Sequence, residues 1–144
     1  MKSKSFLFLL LFSSILIVGC SGDDDGGGPT GPTISSQIFA TWNLGIIIAD
    51  NQIVDDFPCE EDLEYTINSN GTYTKREFST DMNQNCVEST TINGNWEAIE
   101  DNVMELTPLS ASFNMETLDL GLRNNGDQLQ IVRNPNLTEL YDRN

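Results

Sequence analysis

The sequence predicts an all-β fold for residues 36 to 144, a small antiparallel up-and-down barrel of about eight strands. Three observations predict it. Apolar residues recur at every second position in short runs. Clusters of Asn, Asp and Gly separate these runs about every ten residues. No stretch after Ser36 keeps a 3.6-residue apolar period over a dozen positions. Sequential hairpins favour a meander, and a meander that closes on itself leaves no bare edge.

The elements follow in order. Ile38, Ala40, Trp42, Leu44, Ile46 and Ile48 alternate with Thr41, Asn43 and Gly45, which predicts a long first strand with one buried face. Phe39 and Ile47 then fall on its outward face. Leu63, Tyr65 and Ile67 alternate with Glu64 and Thr66, and Asn68-Ser69-Asn70-Gly71 supplies the left-handed positions of a tight hairpin. The return strand from Thr72 (TYTKREFST) is polar on both faces, so the pattern assigns no inward side and predicts a bulge or an edge near Lys75. Ile92, Gly94, Trp96 and Ala98 share a face; Glu100-Asp101-Asn102 turn the chain; Met104 and Leu106 begin the next strand before Pro108 interrupts it. Phe113 and Met115 continue in phase. The phase slips between Thr117 and Leu118, which predicts a bulge or corner, and Leu118, Leu120 and Leu122 alternate cleanly thereafter. Asn124-Asn125-Gly126-Asp127 turn the chain into Leu129 and Ile131, and a last short strand runs from Thr138 to Asp142.

Residues 1 to 19 have a different character. Lys2 and Lys4 precede an apolar run from Phe6 to Val18, which is shorter than the roughly 20 residues a membrane-spanning helix needs. Ile17-Val18-Gly19-Cys20 closes the run and resembles the lipobox of bacterial lipoproteins. That resemblance implies cleavage before Cys20 and acylation of its thiol and amine, and more than one acyl chain gives stable anchoring. The stretch Ser21-Gly22-Asp23-Asp24-Asp25 resembles the acidic export signal of Bacteroidota-type lipoproteins, which implies the outer face of the outer membrane. Residues 20 to 35 read as an acidic, Gly/Pro-rich linker.

Loss of residues 1 to 19 removes two lysines and no acid, so the formal charge moves from −15 to −17. Such a chain lacks the basic face that nucleic-acid binding requires, and it repels anionic lipid headgroups. Membrane attachment therefore falls to the lipid on Cys20. With Cys20 acylated, Cys59 and Cys86 are free to pair in an oxidising compartment, which stabilises by roughly 3.5 kcal/mol on a chain-entropy basis. The sequence contains no histidine, so a zinc site from two thiolates is incomplete.

The order and spacing of several short motifs carry a family resemblance: Trp42-Asn43-Leu44, Cys59 with Glu60-Glu61-Asp62 and Leu63, Asn70-Gly71-Thr72-Tyr73, Cys86, Gly94-Asn95-Trp96 and Tyr141-Asp142-Arg143. Together they resemble the lipocalin-like domain of small Bacteroidota-type outer-membrane lipoproteins over nearly all of the chain after the linker. One position departs, since Ala40 stands where lipocalins carry the glycine of Gly-x-Trp. The resemblance implies that Arg143 packs across Trp42 and closes the barrel. It also implies a barrel mouth that holds a small hydrophobic molecule, with Trp42, Tyr65, Tyr73, Trp96 and Phe113 as candidate lining. So short a barrel also needs its aromatics as packed core.

Catalysis is not expected. The commonest general base is missing and no G-x-S-x-G elbow occurs. The acids Asp55, Asp56, Glu60, Glu61 and Asp62 match no EF-hand spacing and read as a solvated rim, so neither metal nor cofactor is expected. Two functions remain: a lipid-anchored module binding a small apolar molecule, or an accessory surface lipoprotein that holds an envelope protein or glycan on its outer face, with Phe39 and Ile47 as the candidate patch.

Overall fold

The computed structural model describes residues 31 to 55, 58 to 59 and 62 to 144; the expected leader, Cys20 and most of the expected linker lie outside them. The strands are β1 (Thr41–Ala49), β2 (Gln52–Val54), β3 (Leu63–Ile67), β4 (Thr72–Thr80), β5 (Cys86–Glu100), β6 (Val103–Pro108), β7 (Glu116–Arg123), β8 (Gln128–Asn134) and β9 (Leu137–Arg143). Every neighbouring pair is antiparallel, and β9 returns to pair with β1 from Trp42 opposite Arg143 to Ala49 opposite Leu137. Eight strands thus close into a barrel. The extra strand, β2, pairs with the last residues of β1, while β3 pairs with its first.

Alternation explains most of the interior. Trp42, Leu44, Tyr65, Ile67, Tyr73, Ile92, Met104, Leu106, Leu118, Leu120, Leu129, Ile131 and Tyr141 form one buried cluster, and each fully buried large side chain contributes about 1.5–3 kcal/mol of transfer free energy. Gly94 is needed in that cluster for space. A Cβ there would collide with the Tyr73 ring and with the Thr107 carbonyl oxygen.

One end of the barrel is sealed. A short 3-10 turn, Ser36–Ile38, crosses it and buries Ile38. The indole N–H of Trp42 donates to the Ile38 carbonyl at 2.8 Å, and the Arg143 guanidinium lies 4.8 Å from the Trp42 ring centroid. Arg143 also donates to the carbonyls of Gln37 and Gly126, which ties the turn to the β7–β8 connection. Thr33 is fixed to Asp101 at the β5–β6 turn. Phe39 stacks on Trp96 at 5.6 Å.

The strand pattern differs from the sequence reading at three places. Residues 38 to 40 precede β1, so Ile38 enters the core from the 3-10 turn. The pairing of β1 with β9 shifts between Leu44 and Ile46, which makes Gly45 the extra residue of a bulge. The phase therefore reverses: Ile47, expected outward, packs against the core, and Ile46 and Ile48 take the other face. Phe39 too packs against that core, so the outward Phe39–Ile47 patch does not form. Phe113 and Met115, expected on a strand, lie exposed in the loop between β6 and β7; this loop, rather than a bulge in β7, accounts for the phase slip before Leu118. The pairing of β4 with β5 shifts between Glu77 and Phe78, which is the bulge expected near Lys75, and Lys75 itself, on a strand whose pattern assigned no inward side, faces inward opposite Tyr65.

Candidate binding site at the barrel mouth

The end opposite the seal is built differently. Inward positions that are apolar deeper in the barrel become charged as each strand approaches this mouth. Two residues beyond Tyr73 comes Lys75, then Glu77; two before Leu118 comes Glu116; two beyond Ile131 comes Arg133; two before Tyr141 comes Glu139. Period-two geometry sends all of them into the lumen.

There they meet across the barrel. Arg133 on β8 donates through Nε to Glu139 Oε2 at 2.8 Å, through one terminal nitrogen to Glu116 Oε2 at 3.2 Å, and through the other to the Tyr65 hydroxyl at 3.0 Å. Lys75 Nζ lies 2.7 Å from Glu116 Oε1 and 3.1 Å from Glu77 Oε1. The Tyr65 hydroxyl donates to Glu116 at 3.1 Å and that of Tyr141 to Glu139 at 2.7 Å. Exposure rises outward through the layer, from 11% for the Lys75 and Glu139 side chains to 28% for Glu116 and 37% for Glu77.

These contacts set the charges. Burial pushes the Tyr65 phenol up to about 12, with Glu116 adding to the rise and Arg133 and Lys75 opposing it. Burial likewise holds Tyr141 well above the usual phenol value, helped by the Glu139 carboxylate. Both phenols stay neutral donors. Burial works against the Glu116 carboxylate, but Lys75, Arg133 and Tyr65 outweigh it and its pKa lies below the ordinary value. Burial also opposes the Lys75 and Arg133 cations, and their tyrosine and carboxylate partners more than compensate. Two cations against three carboxylates leave the layer with a formal excess of one negative charge.

The connections at this end expose Met82, Phe113 and Met115, and the exposed Leu109 follows β6 opposite Asn93. A disulfide between Cys59 and Cys86, with Cα atoms 5.5 Å apart, staples the β2–β3 connection to the start of β5. It stands beside β4, whose last residues extend beyond its pairing with the shorter β3. The expected pairing of Cys59 with Cys86 is therefore present. Of the acids expected to rim this loop, Asp56, Glu60 and Glu61 lie outside the described residues.

The candidate lining residues separate into three places. Trp42 and Tyr65 have no exposed surface and Tyr73 is buried, so they are packed interior, with the Tyr65 hydroxyl reaching the charged layer. Trp96 is half-buried at the sealed end, its indole N–H donating to the Asn68 carbonyl at 2.8 Å. Phe113 belongs to the mouth as an exposed loop residue at 37% and does not line the lumen. Sequence reasoning missed Lys75, Glu77, Glu116, Arg133 and Glu139. The available signal was register: each lies two positions from an inward apolar residue, where a charge marks the change from core to mouth.

Residues 38–133 match the model of the lipocalin-like domain family. The structure is similar to that of a lipocalin-like protein from Bacteroides uniformis, at a TM-score of 0.53 and 11% identity, covering 75% of this chain and 99% of that one. It is also similar, at a TM-score of 0.48 and 9% identity, to an uncharacterized protein from Bacteroides eggerthii, covering 73% of this chain and 98% of that one. No curated protein matches the sequence.

Proposed function

The chain belongs to the lipocalin-like domain family, and from that premise we propose that it is a non-catalytic binding module that receives a small molecule at the open end of its barrel. The sequence leads one to expect a small hydrophobic ligand. The charged layer refines this, because covering ions with hydrocarbon costs several kcal/mol for each one desolvated. A small amphiphile fits better, with a hydrogen-bonding head on the layer and its apolar part among Met82, Phe113 and Met115. The excess negative charge of the layer favours a neutral or cationic head over an anionic one. The observation that carries this reading is the inward layer of Lys75, Glu77, Glu116, Arg133 and Glu139 at the end of the barrel whose loops expose apolar residues.

Acylation at Cys20 would hold this module on the outer membrane, with the acidic linker spacing it from the lipid; the support is the residue pattern around Cys20. Mass spectrometry of the native amino terminus tests the anchor, and protease shaving of intact cells tests surface exposure.

Two dyes test the binding reading, N-phenyl-1-naphthylamine and its anionic relative 8-anilino-1-naphthalenesulfonate. The neutral dye is expected to bind the mature chain at one saturable site, at least about tenfold more tightly than the sulfonate, a difference of about 1.4 kcal/mol. Phe113→Asp with Met115→Asp should weaken it. Absence of saturable binding, or a preference for the sulfonate, overturns the reading.

A further inference from the structure

At the sealed end, a cleft of about 270 Å³ opens where the outer face of β1 and β3 meets the segment before β1. Phe39 and Ala40 form its apolar part, beside the buried Ile67; Thr41, Thr66, Asn68 and Ser69 form its polar part. No charged side chain lines it, although the chain carries 22 acids. The Thr41 and Thr66 hydroxyls share one hydrogen bond at 3.0 Å, which leaves one hydroxyl proton and several lone pairs to face the cleft. Asn68 donates its amide to the Thr72 hydroxyl at 3.1 Å. Its side-chain carbonyl and the Ser69 hydroxyl have no protein partner among the described residues.

The uncharged character extends beyond the cleft. Strand register puts Thr41, Thr66, Thr74 and Asn93 in one row across β1, β3, β4 and β5, and Thr72, Asn95 and Thr107 in the next row across β4, β5 and β6. The first row spans about 14 Å at the usual interstrand spacing. The Thr74 hydroxyl donates to the Asn93 side chain at 2.9 Å. Charge begins in the rows that border these two, with Glu64 paired to Arg76 at 2.9 Å on one side and Glu97 opposite Glu105 on the other.

We infer that this cleft and the hydroxyl–amide strip beside it bind a neutral oligosaccharide, one ring seated in the cleft and the chain continuing along the strip. The ligand class follows from exclusion as well as fit. An anion is repelled by the molecule's charge. A cation finds no carboxylate here. A peptide that adds as a strand needs a free sheet edge, and at the rows of this strip the four strands are paired on both sides. Polyols bring what remains: hydroxyls that donate and accept, matching threonine and asparagine, and C–H faces that pack on Phe39 and Ala40. This site lies at the opposite end from the mouth and does not depend on the amphiphile reading.

The test is titration of the isotope-labelled mature chain with maltohexaose, cellohexaose, mannohexaose and hexagalacturonate, followed by amide chemical shifts. At least one neutral hexaose should saturate the shifts of Thr41, Thr66, Asn68 and Ser69. Thr66→Glu, which places a charge in the cleft, should weaken that binding at least about tenfold, while Ser69→Ala weakens it less and Phe113→Asp leaves it unchanged. Failure of every neutral hexaose to shift these amides, binding of hexagalacturonate alone, or full affinity in a folded Thr66→Glu protein would overturn the inference.

Discussion

Replacing Arg133 with methionine isolates the electrostatics of the mouth, because methionine keeps most of the apolar stem and removes the guanidinium. Three hydrogen bonds go, to Glu139, Glu116 and the Tyr65 hydroxyl. They are not equal. Glu116 retains Lys75 at 2.7 Å and the Tyr65 hydroxyl at 3.1 Å, so its loss is partial. Among the described residues Glu139 retains only the Tyr141 hydroxyl, and its side chain is 11% exposed. An anion left buried without its cation costs about 3–5 kcal/mol, and water at the mouth places this case near the lower limit, about 3 kcal/mol. Adding Glu139→Gln removes the stranded charge while leaving an oxygen for Tyr141 to donate to. The double variant should therefore recover about 2 kcal/mol relative to Arg133→Met alone. Equilibrium urea unfolding of the mature chain, followed by tryptophan fluorescence, measures both. If Arg133→Met costs less than about 1 kcal/mol, or the double variant is no more stable than the single, the layer is not held by desolvated charge and the account of the mouth is wrong.

The remaining predictions concern pH, the staple and packing. Because the folded pKa of Glu116 is depressed, its ionisation stabilises the fold above the unfolded carboxyl value of about 4.3, and that contribution disappears as pH falls through the folded value; Glu116→Gln should flatten the acid limb of the stability curve measured by urea titration. Tyr65 has the opposite sign. With its folded pKa raised to about 12, its contribution is complete below the unfolded phenol value near 10 and is lost as pH rises towards the folded one, and Tyr65→Phe should delete one step above the ordinary phenol range in an absorbance titration at 295 nm. Reducing Cys59–Cys86, or replacing both residues with serine, should lower unfolding free energy by roughly 3–4 kcal/mol and leave the Trp42 environment at the sealed end unaltered by near-ultraviolet circular dichroism. Gly94→Ala drives a methyl into a backbone carbonyl as well as the Tyr73 ring, so it should destabilise by at least about 1–3 kcal/mol in the same urea assay.

The barrel was legible wherever one face of a strand is apolar. Tyr65 and Ile67, Ile92 to Ala98, Leu118 to Leu122, and Leu129 with Ile131 declare their buried side through period two, because a one-residue slip would expose every one of them. The turns at Asn70-Gly71 and Asn124-Asn125-Gly126 were legible for a local reason: Gly71, Asn124, Asn125 and Gly126 all adopt positive φ, which these residue types tolerate best. The cysteine count singled out Cys59 and Cys86 before any geometry was known.

What the tertiary structure alone decided lies where inward positions carry charge and where register breaks. Lys75, Glu116, Arg133 and Glu139 are surface residues to any reading of hydropathy. They become a mouth only because closure of β9 onto β1 brings β3, β4, β7, β8 and β9 around one lumen, so that each charge finds its partner on another strand. The bulge at Gly45 exchanged the faces of Ile46, Ile47 and Ile48, since a single extra residue on one strand is set by pairing with β9 and leaves no mark in the alternation of β1. Local pattern thus determined which strands exist and which side most of them bury. Long-range pairing determined what the two ends of the barrel are made of, because contacts between residues far apart in the chain have no signature in either segment taken by itself.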